Sequence, residues 1–126
     1  MNELVFDHTI NILPVTWKRA RSAGTRRYNE KQMEVAKATI GWEVKAHEPK
    51  LRPDDTARFG VRMTFYLPGH RGGDGDRYEN LVLDALKGIV WADDEQVDEG
   101  TWRKMYHSDP KIQLTIYHIG PTKDNA

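Results

Sequence analysis

Residues 59–69 read Phe59-Gly60-Val61-Arg62-Met63-Thr64-Phe65-Tyr66-Leu67-Pro68-Gly69. A large apolar side chain stands at every second position from Phe59 to Leu67, the period of a strand with one face against a core. Pro68 and Gly69 close it. A glycine-rich loop, His70 to Gly75, follows at once. Behind it Tyr78, Leu81, Val82, Ala85, Leu86 and Ile89 keep the i, i+3, i+4, i+7 spacing of a core-facing helix. Gly88 near the end of that helix suits a left-handed residue.

Upstream, Leu4, Phe6, His8, Ile10 and Ile12 alternate with more polar residues, which predicts a first strand ending near Pro14. The stretch Val15 to Tyr28 is basic and shows no period, so it reads as a loop. Asn29 and Gln32 have the form of a capping box, and Met33, Ala36, Ile40 and Val44 carry a helix toward His47. Glu48 to Asp55, with Pro49 and Pro53, is a connection. Downstream, strands are expected over Thr101 to Tyr106 and Ile112 to Ile119. The order strand, helix, strand, helix, strand, strand predicts an α+β (mixed α/β) fold. It is a single small domain over residues 1–126, with two helices packed on a mixed or antiparallel sheet of about four strands.

At 126 residues the chain suffices for one core. With 38% hydrophobic and 30% charged residues it has the composition of a globular protein rather than a disordered one. The longest apolar runs are far shorter than a membrane span, and the first residues show no charged-then-apolar leader, so a cytoplasmic protein is expected. The absence of cysteine excludes disulfides and thiolate metal sites. Net charge is zero but unevenly spread. Lys18, Arg19, Arg21, Arg26, Arg27 and Lys31 meet one acid, Glu30, whereas Asp93 to Glu99 holds five acids and no base. Such segregation predicts an anionic partner for the basic part and a separate task for the acidic part.

Asp74 and Asp76 lie two apart in a turn that Gly72, Gly73 and Gly75 leave free to bend. With Asp93-Asp94 brought near, three carboxylates would offer hard oxygen ligands for magnesium or manganese, the metals of phosphodiester chemistry. Plainer readings stand beside this one. Asp76 has the spacing to Glu79 of a helix cap, and Asp93-Asp94 could be a solvated acidic turn. A calcium-loop reading from Asp74 fails, because Tyr78, Glu79 and Ala85 occupy positions that need a ligand, a glycine and a glutamate. A sugar-nucleotide transferase needs more chain. The basic loop, flanked by Trp17 and Tyr28, suits nucleic acid or is simply solvated. The histidines at 8, 47, 70, 107 and 118 are scattered and predict no site, and Trp42, Trp91 and Trp102 read as core or interface.

Asp74-x-Asp76, then Asp84-Ala85-Leu86-x-Gly88, then Trp91-x-Asp93-Asp94-x-Gln96-Val97, resembles the RusA family of Holliday junction resolvases, small metal-dependent endonucleases often of phage or prophage origin. The early strand ending in Pro14, the Lys18-Arg19-x-Arg21 loop and Lys104 agree in order, so the resemblance spans nearly the whole chain. It implies catalytic, metal-holding Asp74, Asp76 and Asp94, with Lys104 assisting and Mg2+ (or Mn2+) as cofactor. It implies no nucleotide cofactor and no membrane partner. Lys18, Arg19, Arg21, Arg26, Arg27, Arg71 and Arg77 would hold four-way junction DNA. Asp84, Asp93 and Gln96 match motif positions without an assigned role. The family pattern places asparagine and lysine where this chain has Arg77 and Asn80, leaving Arg77, Lys87 or Lys104 to supply positive charge. A homodimer in a bacterial or phage-infected cytoplasm is implied, and Leu83, Val90 and Trp91 are available for its interface. The rival readings are a branched-DNA binding module without cleavage, a metal nuclease acting on flaps or RNA, and a metal-free interaction protein.

Overall fold

The computed structural model describes residues 3–14, 23–69 and 75–119, with residues 23–30 described by backbone alone. In chain order the elements are β1 (Glu3–Ile10), α1 (Ala23–His47), β2 (Arg58–Leu67), α2 (Gly75–Leu86), a 3₁₀ turn (Asp94–Gln96), β3 (Val97–Tyr106) and β4 (Lys111–Ile119). The strands form one sheet in the order β1-β4-β2-β3. β4 runs antiparallel to both neighbours, while β2 and β3 are parallel. That parallel pair needs a crossover, and α2 provides it. The fold is a small α+β domain with a mixed sheet and two helices, as the sequence predicts.

The alternation in β2 works as expected. Phe59, Val61, Met63, Phe65 and Leu67 are each at most 3% exposed and face the helices, joined by Ile112, Leu114 and Ile116 of β4 and by Phe6 and Ile10 of β1. Leu4 is a correction. A register shift between Leu4 and Phe6 sets Leu4 opposite Tyr117, and it ends exposed. A bulge of this kind turns the residues beyond it to the other face.

α1 also starts earlier than the sequence suggests. Residues 23–28 are helical rather than loop, and Asn29 lies inside the helix rather than at its cap. Apolar period reports packing, not helicity, and arginine, lysine, glutamate and glutamine are good helix formers without it. Further along, Ala36, Ile40 and Val44 are buried at spacing four. α1 meets α2 where Gly41 leaves room for Ile89, and Lys37 Nζ reaches Asp84 Oδ2 at 3.0 Å.

Gly88 has φ +85°, the left-handed conformation expected there. The chain then turns Val90 and Trp91 into the core, where they are 1% and 0% exposed. Both therefore complete the monomer's interior and are not available for an interface, while Leu83 packs partly against the core. Trp42 belongs to no core, being 79% exposed, and Trp102 is about half exposed. Among the described residues, no helix is long and apolar enough to cross a membrane.

Candidate active site

α2 begins at Gly75, so Asp76 stands in its first turn and is not the capping residue. A carboxylate there faces the positive end of the helix dipole. Gly75 is buried because the ring of Trp102 occupies the space a Cβ would need. Trp102 and Lys104 pair with Met63 and Phe65, whose side chains are buried beneath the helices, so both project on the helix side of β3. Leu67, the last residue of β2, pairs with Tyr106. β2 thus ends at the level of Tyr106, and α2 begins, after the segment 68–74, at the level of Trp102. Lys104 occupies the register position between those two ends. Asp74 and Arg71 belong to that segment and lie outside the described residues.

Glu79, which in sequence has only the spacing of a capping partner, also belongs to this site. Its half-buried carboxylate lies on Gly100 of β3, with Oε2 2.6 Å from where a Cβ would stand. Burial raises its pKa above the usual glutamate value, and the charge of Asp76 one turn earlier adds to the rise. The i, i+3 spacing of Asp76 and Glu79 was the available signal, because it sets both on one side of a helix.

Asp94 comes from beyond the other end of α2. It opens the 3₁₀ turn, half-buried, and Oδ1 accepts a hydrogen bond from Trp91 Nε1 at 3.0 Å. No described residue engages its second oxygen. Asp93 is the cap of that turn, accepting from Glu95 N, and forms a capping box with Gln96. Gln96 is the buried polar residue of this region. Its amide donates to Asp54 O at 2.6 Å and Ala57 O at 2.9 Å, and its oxygen accepts from Ala92 N and Asp93 N at 3.0 Å each. Every position of its side chain that can bond is used, so Gln96 clips two loops together.

Much of the acidic run is consumed in the same way. Arg58 binds Asp98 through Nε and Nη2, the latter at 2.6 Å, and Glu95 at 3.2 Å. Asp98 is held below the usual carboxylate range chiefly by that hydrogen bond, and Arg58 is pushed up in turn. Asp84 is tied to Lys37 on α1. The motif positions of open role, Asp84, Asp93 and Gln96, each have a structural partner in this chain.

Among the described residues no three histidines, aspartates or glutamates form a metal-binding group. The donors at the α2 end are carboxylates, which as hard oxygen ligands fit magnesium or manganese and not a soft metal. Of the basic residues expected to hold DNA, Lys18, Arg19, Arg21 and Arg71 lie outside the described residues. Arg26 and Arg27 lie on α1, not in a loop, and Arg77 is exposed in the first turn of α2 beside Asp76. The histidines are not all scattered either. His8 and His47 stack with ring centroids 4.1 Å apart, and His8 Nε2 lies 3.4 Å from Glu48.

The model of the endodeoxyribonuclease RusA family matches residues 10–117, which spans every element from the end of β1 to near the end of β4. The chain belongs to the RusA family. None of the curated proteins compared matches it. Membership makes this RusA-family chain a DNA endonuclease of the general kind that resolves Holliday junctions. Asp76, Lys104 and Asp94 arise from three different elements, α2, β3 and the 3₁₀ turn.

Proposed function

We propose that this chain is a divalent-metal-dependent endodeoxyribonuclease that resolves four-way junctions by paired symmetric nicks, working as a homodimer in the cytoplasm of a bacterial or phage-infected cell. The observation that carries the reading is the first turn of α2. It carries Asp76 and packs, through Gly75 and Trp102, on the strand that carries Lys104.

Asp74, Asp76 and Asp94 are the residues that would hold the metal. When bound, magnesium or manganese would lower the pKa of a water and offset charge on the phosphate. The chain's own residues have the remaining tasks. Lys104, on the same face of the sheet as Trp102, places a positive charge toward the scissile phosphate. Arg77, with Lys18, Arg19, Arg21, Arg26, Arg27 and Arg71, positions the DNA backbone by charge and does not read bases. Trp91 orients Asp94 through its indole N–H. Trp102 fixes the start of α2 against the sheet.

The test is incubation with a synthetic mobile four-way junction, a flap and a linear duplex, with and without magnesium. Symmetric nicks in the junction alone, lost in Asp76→Asn while junction binding persists, are the expected result. Cutting by Asp76→Asn at the parent's rate would remove it from the ligand set. A second reading, a branched-DNA binding module that does not cut, is favoured by one observation. Asn80, exposed one turn beyond Asp76, stands where the family pattern has lysine. Tight junction binding without nicking in either metal would establish that reading, and preferential flap cutting would make the chain a flap nuclease.

A further inference from the structure

The alternation that buries Met63 and Phe65 beneath the helices turns Arg62 and Thr64 of β2, with Thr101 and Arg103 of β3, to the opposite face of the sheet. Arg62, Thr101 and Arg103 are exposed there. The register sets these residues and two from β4 in neighbouring rows, Thr101-Arg62-Thr115 and Arg103-Thr64-Gln113. Together they line a hollow of about 350 Å³.

The two halves of this face differ. Toward β1 the polar groups satisfy one another. Asp7 Oδ1 accepts from Gln113 Nε2 at 3.1 Å and from the Thr115 hydroxyl at 2.9 Å, and the Thr9 hydroxyl donates to Gln113 Oε1. Toward β3, no described residue forms a side-chain hydrogen bond or ion pair with Arg62, Thr64, Thr101 or Arg103. Arg62 and Arg103 are diagonal neighbours, about 7–8 Å apart, which long side chains span. Two like charges this close repel unless an anion joins them. The acids at the margins are engaged elsewhere: Asp7 as above, Glu99 with the Tyr117 hydroxyl at 3.4 Å, and Asp98 with Arg58.

Arg62 is also held in place. Gly60 leaves the space that the ring of Tyr117 fills, and the Arg62 guanidinium sits 5.1 Å from the centre of that ring. Guanidinium forks flanked by hydroxyls suit a phosphate group. For a member of a DNA endonuclease family, the phosphate at hand is the DNA backbone. The larger groove between α1 and α2 names no occupant, because its charges, Glu34, Lys37, Lys45 and Asp84, already have partners.

We propose that this hollow is a second DNA site, in which Arg62 and Arg103 hold backbone phosphates of an arm other than the one at the candidate active site. This rests on the junction-nuclease reading given above. Trp102 and Lys104 project to the helix side of β3 and Arg103, between them, to the other side, so the two sites open on opposite faces of one sheet. A straight duplex lies along one face. A branched molecule has a further arm for the second, so the hollow adds affinity for a junction and little for a linear duplex. The contact is to phosphate and carries no sequence preference.

The test compares full-length variants by fluorescence anisotropy on a labelled four-way junction and a linear duplex, without magnesium, over a salt series. Arg62→Ala/Arg103→Ala should weaken junction binding about tenfold and flatten its log–log salt slope by about two units, at roughly −0.9 per phosphate contact. Duplex binding should change by less than about twofold. Arg62→Lys/Arg103→Lys should keep most of the slope, which follows the number of charges. Thr101→Glu, which removes no cation but adds an acid to the hollow, should weaken junction binding with the same selectivity. Lys50→Ala, an exposed cation outside both sites, should change neither substrate's binding. If the double alanine variant keeps the parent's junction slope while the parent still nicks the junction, the hollow is overturned and the nuclease reading stands. Equal losses on junction and duplex overturn the assignment to a second arm. Inorganic phosphate is the further probe: a rise in Tm of the parent but not of the double alanine variant, with the junction slope unchanged, makes this a free-anion site instead. A parent that binds the junction no better than the duplex overturns both readings.

Discussion

The indole N–H of Trp91 donates to Oδ1 of Asp94 at 3.0 Å, while the ring of Trp91 is fully buried with its centroid 5.4 Å from that of Phe59. A core residue thus sets the rotamer of an acid proposed to be catalytic. Trp91→Phe would retain most of the packing and remove the donor. Orienting partners of this kind are worth ~10–100-fold in activity or metal affinity. The expected outcome is a loss of that order in junction cleavage with the chain still folded, measured beside a urea denaturation curve. An unchanged cleavage rate would mean that the hydrogen bond does not orient Asp94 for the reaction.

Gln96 should matter for stability and not directly for chemistry. Gln96→Leu keeps the volume but strips the side-chain partner from Ala57 O and Asp93 N, while Ala92 N and Asp54 O keep each other at 3.1 Å. Unsatisfied buried groups of this kind cost ~1–3 kcal/mol each when water cannot reach them. With partial hydration of the loops, a loss of ~2–4 kcal/mol in chemical denaturation is expected. A loss below ~1 kcal/mol would show that water replaces the amide freely.

Acid sensitivity should trace to Asp54 and Asp98. Asp54 accepts from the Ala57 and Thr56 backbone N–H groups, Asp98 binds Arg58, and both have lowered pKa values in the folded state. Their contribution is present above the unfolded aspartate pKa, about 3.9, and is lost as pH falls through the lowered folded values. Arg58→Ala should therefore be less stable than the parent at pH 7. The gap should narrow below about pH 3, where Asp98 is becoming protonated in both. Denaturation curves at the two pH values test this, and a constant gap would point to lost packing of the Arg58 stem instead.

Glu79 carries the opposite sign. Its folded pKa is raised, so the folded chain holds that proton more tightly than the unfolded chain does. Stability falls as pH rises from the unfolded glutamate value, about 4.3, through the raised folded value. Glu79→Gln should raise the Tm at pH 7, with the difference vanishing below about pH 4. A destabilised variant at pH 7 would mean that the ionised carboxylate has a favourable partner, a metal ion included, in the solution used.

β2 and α2 were legible because each buries one face of a regular element, and a strict period of two or of 3.6 is what such burial imprints on a sequence. The start of α1 was not, since residues 23–28 carry no apolar period for a packing signal to report. At the site, the family order of motifs could be read directly. The fates of Glu95, Asp98 and Gln96 could not. Each depends on a partner about forty residues away, Arg58, Asp54 or Ala57, brought close only by the parallel pairing of β2 with β3. Charge density alone made that acidic run resemble a ligand cluster, whereas Arg58 and a capping box absorb most of it.

In the sheet order β1-β4-β2-β3, the strand that comes last in the chain lies inside the sheet, between the first two. Until β4 arrives, β1 and the β2–α2–β3 unit share no ladder, and both present open edges. Ile10 meets Ile112, and Val61 meets Ile116, only once β4 itself has left the ribosome. At a synthesis rate of roughly 5–20 residues per second, those edges stay uncovered for several seconds. Closing so long a loop is also slow compared with local pairing. The sheet of the nuclease thus closes only when β4 inserts, and a nascent chain without β4 has neither a closed core nor a finished platform on which to cut DNA.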